Sequence, residues 1–358
     1  MRLLATLHRW AGGLIGLVLA LLGLSGAALV WKDQWTLLPD AGAPPVVTPA
    51  ALARVTESAL AHGEVSRITF ASDSFGLHQV IYADGGGAYY GPEAQEVARW
   101  ASQWERPELW LFDFHHHLFM GHTGETITGA MGIAGLLFVM TGIILWWRTR
   151  KTFTLRAWPA RMTRPAIVRQ HRDLGIVAAP LLFLSMTTGT MMVLEPVASA
   201  VLAPLGSLEK PSKPEQTSVG AVGSETDWTA LMSSARQQLP KAAPRRLQFP
   251  RETGEPVVLR MRQSFEWTPN GRTYVMLDPA TSAVVSVDDP AAGNAAQAAQ
   301  EKLYPLHAAK VGGLAWKLAI TLSGLALAML GTFAVWSFWF RRPKQARTSL
   351  PLAMTAPV

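Results

Sequence analysis

Four apolar runs, at 11–31, 127–147, 174–194 and 318–340, interrupt an otherwise polar chain. Each is at least 21 residues long and contains no Asp, Glu, Lys or Arg. About 20 such residues cross a bilayer core as a helix, so the pattern predicts four transmembrane helices. The first run is too long for a cleaved leader and is one of a repeated set, so it is expected to be a retained span.

Between the runs the period shortens. Residues 65–70 and 79–82 alternate like strands, with Gly85, Gly86 and Gly87 as a turn before Tyr89; 256–261, 273–277 and 283–287 do the same, the last two joined by a turn at Asp278 and Pro279. Residues 51–61 and 228–239 read as short helices, and 206–226 as a linker rich in Ser, Pro, Glu and Lys. The expected fold class is membrane α-helical. Four transmembrane helices form two parallel repeats, and each helix pair brackets a small α+β domain. The expected boundaries are helices at 1–31, 126–147, 173–195 and 311–340, outside domains at 32–125 and 196–310, a basic loop at 148–172 and a tail at 341–358.

Charge orients this arrangement. Residues 1–10, 148–172 and 341–358 carry 14 of the 32 Lys and Arg and none of the 25 acidic residues. Basic short loops stay cytoplasmic, so both termini and the 148–172 loop are expected inside. That places the chain in a bacterial inner membrane as a multi-pass protein, with the two domains in the periplasm. Trp146, Trp147 and Arg148, and Trp336, Trp339, Arg341 and Arg342, read as an interfacial belt and a cytoplasmic lock. The net charge of +7 is therefore a topology signal and implies no nucleic-acid partner. The chain has no cysteine, which excludes disulfides, thiolate-held iron–sulfur clusters and covalent haem.

The chain also repeats itself. His8 and Arg9 are followed by Gly12 and then by Ser25 and Gly26; His171 and Arg172 are followed by Gly175 and then by Thr188 and Gly189. In both copies the glycines fall four and eighteen residues after the histidine. One histidine thus opens each of two spans at the same height. Two neutral imidazoles on neighbouring helices can hold a non-covalent haem b. Gly12 and Gly175, one turn on, would give the ring room, and Arg9 and Arg172 would meet its propionates. A second pair is expected at the other face, from His307 and one of His115, His116, His117 and His122. A lone histidine at a membrane boundary is more often an anchor than a ligand; the repeat and the matching far pair favour haem. Within the 115–122 group, His115 and His122 are seven apart and so share a helix face, and His117 has Gly121 one turn on. Together with Met120 this cluster is also a candidate copper or zinc site. Met186, Met191 and Met192 would supply thioethers but read as packing.

With these residues in place the chain resembles the PepSY-associated transmembrane-helix family, which includes iron-regulated inner-membrane proteins and FoxB-type ferrisiderophore reductases. The resemblance rests on Leu7, His8, Arg9, Trp10 and Gly12; on Phe114, His115, Leu118 and Gly121; on His171, Arg172, Leu174 and Gly175; and on Pro305, Leu306, His307, Val311, Gly312 and Gly313. Residues 274–285 look like the end of a PepSY module. The family pattern selects His115 as ligand, with His117 and His122 as alternates. It implies two haem irons held by His8, His171, His115 and His307. It also implies reduction of a ferric siderophore on the periplasmic side, with electrons from a cytoplasmic reductase or quinol. No residue is identified as catalytic, although Trp100, Trp104, Trp110, Phe265 and Trp267 are candidates to line a chelate site. The competing expectations are a siderophore or peptide permease and a non-catalytic PepSY regulatory protein. The four runs carry no acid for a proton relay, and Pro180 is their one proline break.

Overall fold

The computed structural model describes residues 1–208 and 219–340; the expected tail at 341–358, with Arg341 and Arg342, and most of the central part of the expected linker lie outside them. Ten α-helices are described: α1 (Arg2–Leu29), α2 (Lys32–Trp35), α3 (Pro49–Leu60), α4 (Pro107–His117), α5 (Gly121–Trp147), α6 (Arg164–Val193), α7 (Glu195–Leu202), α8 (Trp228–Gln238), α9 (Ala295–His307) and α10 (Gly313–Trp339). Eight strands accompany them: β1 (Val65–Thr69), β2 (His78–Tyr82), β3 (Gly87–Tyr90), β4 (Glu96–Trp100), β5 (Ala243–Gln248), β6 (Val257–Arg262), β7 (Thr273–Leu277) and β8 (Val284–Asp288).

Four helices, α1, α5, α6 and α10, are long and apolar enough to cross a membrane. They pack through small residues, because lipid leaves no hydrophobic drive between helices and close backbone approach supplies the contact instead. A Cβ placed at Gly23 of α1 would lie 2.6 Å from the Gly324 carbonyl of α10, and one at Gly324 would lie 2.5 Å from the Gly23 carbonyl. One helical heptad away, Gly16 and Gly331 make the same contact. Across the bundle, Gly129 and Gly135 of α5 admit Leu194 and Met186 from the end and body of α6.

All four spans start earlier than their apolar runs. The helix needs only helix-forming residues to continue past the hydrocarbon boundary, and α6 does so from Arg164. Asp173, the first residue of the expected helix, therefore lies well inside α6, where it is fully buried and ion-paired to Arg156 and Arg172. The apolar runs themselves remain free of acid.

The two segments between the spans differ from expectation. Instead of two separate modules they form one antiparallel sheet in the order β4-β3-β2-β1-β5-β6-β7-β8. The join is β1 against β5, with Ile68 opposite Leu247. Each strand alone would expose an unpaired row of backbone donors and acceptors, and pairing removes both edges at once. Helices α3 and α8 lie over the sheet, and their buried Leu52, Val55 and Leu231 close a core with Ile68, Val80, Leu247, Leu259 and Val275. The short helices α4 and α9 lead from the sheet back to the spans.

Candidate functional site

Both α4 and α9 end on a histidine-bearing turn. Leu118 and Phe119 follow α4 with φ of 48° and 61°, and Gly121 then opens α5 with φ of 54°. Ala309, Gly312 and Gly313, all left-handed, separate α9 from α10. His115 and His307 therefore sit at the C-terminal ends of short helices and not at the starts of spans. His8 and His171 likewise lie within α1 and α6 rather than at their first turn. The break after His117 puts His115 and His122 on different helices, so seven-residue spacing does not align them. It equally cancels the helical reasoning that joins His117 to Gly121.

The turns swing His115 and His307 into the bundle, where their ring centroids are 6.3 Å apart. At the opposite end the rings of His8 and His171 are 6.1 Å apart. Two imidazoles bound on opposite sides of one metal, at about 2.0–2.1 Å each, have centroids about 6 Å apart. His115 and His307, the pair at the sheet end of the bundle and called outer for that position alone, meet the second glycine of each repeat. A Cβ on Gly26 would stand 2.9 Å from His115 Cε1, and a Cβ on Gly189 would stand 2.9 Å from His307 Cε1. Each repeat therefore gives one helix an inner histidine and, eighteen residues on, a notch for an outer one. At 1.5 Å per residue the two levels are about 27 Å apart.

Hydrogen bonds fix the tautomers. Ser25 Oγ donates to the Leu22 carbonyl, so at 2.9 Å it accepts from His115 Nδ1. His307 Nδ1 donates to the Ser185 carbonyl at 3.1 Å and faces Thr188 Oγ1, whose own proton goes to Leu184. Thr141 Oγ1 donates to Leu137 and accepts from His8 Nδ1 at 2.7 Å. In all three rings the proton is on Nδ1 and the lone pair is on Nε2. An orienting bond at one ring nitrogen that leaves the other basic is how metal-binding histidines are held. Burial, reinforced by the nearby His307 and His116, pushes the pKa of His115 down to about 3, and burial lowers that of His307, so both are neutral at pH 7.

A cavity of about 1440 Å³, open mouth included, lies between the spans with His115 and His307 on its wall. Ser185, Thr190 and Ser323 line it too, and their hydroxyls are buried without a hydrogen-bond partner. Lys32 and Lys310 stand at its rim; burial lowers the pKa of Lys32, and Lys310 pairs with Asp33 at 2.9 Å. The apolar run ends before Lys32, so nothing in the sequence pattern ties either lysine to the histidines.

The remaining expected residues fall as follows. A Cβ on Gly175 would meet nothing within 4 Å, whereas one on Gly12 would be in ordinary contact with Ala334 at 3.7 Å. Arg9 is exposed beside His8. Arg172 is already engaged, donating to Asp173 at 2.6 Å and to Thr152 at 2.8 Å. His117 is hydrogen-bonded to Asp113, and His122 is 92% exposed. Of the aromatics expected to line a chelate site, Trp100 is core, packed on Tyr89, Trp110 is half-buried, and Trp104, Phe265 and Trp267 are exposed.

The residues fit a haem at the outer pair on three counts: open Nε2 atoms, glycine notches and a cavity with unpartnered hydroxyls. A comparison with curated proteins finds no match. A family profile, that of the PepSY-associated TM region, matches residues 5–342, so the chain belongs to that family.

Proposed function

We propose that this protein is a two-haem b electron-transfer protein of the bacterial inner membrane. It reduces ferric siderophore to release Fe(II) on the periplasmic side, using electrons from a cytoplasmic reductase or quinol. In this reading the bundle is a parallel duplication, both termini are cytoplasmic and the eight-stranded sheet is periplasmic. The observation that carries it is the pair of histidine pairs: rings 6.1 and 6.3 Å apart, at two levels of one bundle, with Nδ1 held and Nε2 free in His8, His115 and His307.

His8 and His171 would hold one haem and His115 and His307 the other; haem supplies one-electron chemistry at its iron. Ser25, Thr188 and Thr141 keep the imidazoles correctly turned, with Nδ1 engaged. Gly26 and Gly189 let the outer rings reach the bundle axis. Lys32 would balance carboxylates at the outer cavity, where Lys310 is already paired with Asp33, and Arg9 is the exposed cation beside the inner pair. Releasing Fe(II) follows from its weaker hold on hard oxygen chelators.

The test is a visible spectrum of the detergent-purified protein, oxidised and reduced, after expression with ample haem. Bis-histidine bands are expected, and their absence sinks the proposal. His8→Ala and His307→Ala should each remove about half of the absorbance, whereas His117→Ala and His122→Ala should leave it intact. Siderophore uptake into liposomes without reduction would favour the permease instead.

A further inference from the structure

Beside the outer pair lies a second cluster that the haem reading does not use. The ligand atoms of His116, His117 and Glu125 lie within 4.8 Å of one another. We propose that these three side chains bind a divalent transition metal, and that its occupant is the ferrous iron leaving the chelate. The metal site stands on its own geometry; the identity of the ion rests on the function proposed above.

Asp113 sets the chemistry. Its carboxylate can only accept, so His117 Nδ1 donates to it at 2.8 Å and the lone pair of His117 is on Nε2. That Nε2 accepts from His116 Nδ1 at 2.9 Å, and a metal between the two would take the place of this proton, which moves to His116 Nε2. Two nitrogens bound side by side on one ion, each at about 2.0–2.1 Å, come about 3 Å apart, so the pair already has the spacing of adjacent ligands. A carboxylate behind a histidine is the usual second partner of a metal-bound imidazole and raises its basicity. Glu125 completes two histidines and one carboxylate, a donor set that suits Fe(II) and leaves positions open.

The local fold is shaped for this cluster. Leu118 and Phe119 both take left-handed backbone, which non-glycine residues rarely adopt and which collects at functional sites. The reversal lays the first turn of α5 against the end of α4. A Cβ at Gly124 would collide with the His117 carbonyl, so glycine is what allows Glu125 so near. Thr128 Oγ1 donates to the His116 carbonyl at 2.9 Å and locks the two helices together. All three candidate ligands are partly buried, and so reachable yet shielded.

Position supplies the role. His116 also lines the cavity that His115 and His307 share. Imidazole and carboxylate bind Fe(II) well, whereas the hard oxygens of a siderophore hold it weakly after reduction. A site one side chain from the outer pair would take the ion by ligand exchange and keep it from being recaptured.

The test uses the full-length, haem-loaded chain without a polyhistidine tag, in detergent and without oxygen. Isotopically labelled ferrous iron is equilibrated across a dialysis membrane, and label is counted apart from haem iron. One equivalent is expected. His117→Ala and Glu125→Gln should each weaken binding at least tenfold, and Asp113→Asn should weaken it about 10- to 100-fold. The haem bands of each variant report that it has folded. No bound label in a chain with intact haem bands overturns the site while leaving the reductase standing. So does unchanged binding in the His117→Ala, Glu125→Gln double variant. Label bound by wild type and lost in the variants, in a chain that takes up no haem, upholds the metal site and removes the reductase.

Discussion

At one end of the bundle both histidines belong to spanning helices, His8 to α1 and His171 to α6; at the other, both belong to short helices hung from the sheet. The ring separations are nearly equal, 6.1 and 6.3 Å. The way each is achieved is not. The inner pair forms once α5 and α10, each packed on both α1 and α6, bring those two helices together, and Phe138 of α5 stands edge-on to His8 at 5.2 Å. The outer pair needs the sheet, the left-handed turns after α4 and α9, and the notches at Gly26 and Gly189. One end depends on the packing of the spans alone and the other on the sheet as well, so the two should fail separately.

The largest expected effect comes from the sheet. Ile68 is fully buried at the β1–β5 join. Losing its side chain alone costs about 2–5 kcal/mol, and Ile68→Asp adds an unpaired buried charge. The outer haem should disappear while the inner remains, leaving about half the absorbance with a lower melting temperature for the outside domain. Loss of both haems together would show that the ends are coupled. Next in size is Gly189→Val, which fills the His307 notch without touching the sheet. It too should halve the absorbance, now with the sheet's melting temperature preserved. Retention of both haems would mean that the notch is not what seats His307.

The same contrast explains what the sequence disclosed. The four spans are legible because twenty uncharged residues in a row have few alternatives to a membrane helix. The inner pair is legible because His8 and His171 recur with identical spacing on those spans. Two helices and most strands of the outside segments follow from period and turn residues. Three strands were missed: β3, whose Gly87 was read as part of the turn, and β4 and β5, which carry Glu96 and Arg99 in one and Arg245 and Arg246 beside Pro244 in the other. The fusion of two modules into one sheet is a contact between segments some 180 residues apart, Ile68 with Leu247, and leaves no local mark. The role of Ser25, Gly26, Thr188 and Gly189 was equally hidden. Their spacing was visible as a repeat, but the histidines that fill them come from α4 and α9, which the apolar pattern does not reveal.

The smallest expected effect separates the ends by their hydrogen bonds. The outer rings each face a hydroxyl and a backbone carbonyl three residues before it: Ser25 with Leu22 for His115, Thr188 with Ser185 for His307. Removing the hydroxyl leaves the carbonyl to accept, so Ser25→Ala should cost the outer haem about 1 kcal/mol or less. Among the described residues His8 Nδ1 has Thr141 alone. Thr141→Ala leaves that donor unsatisfied within the bundle, which costs about 1–3 kcal/mol. Haem transfer to an excess of a high-affinity acceptor should therefore be faster from the inner site of Thr141→Ala than from the outer site of Ser25→Ala. Equal rates would mean that His8 finds another acceptor when the threonine is gone, and that the inner pair is held more by its packing against Phe138 than by its tautomer.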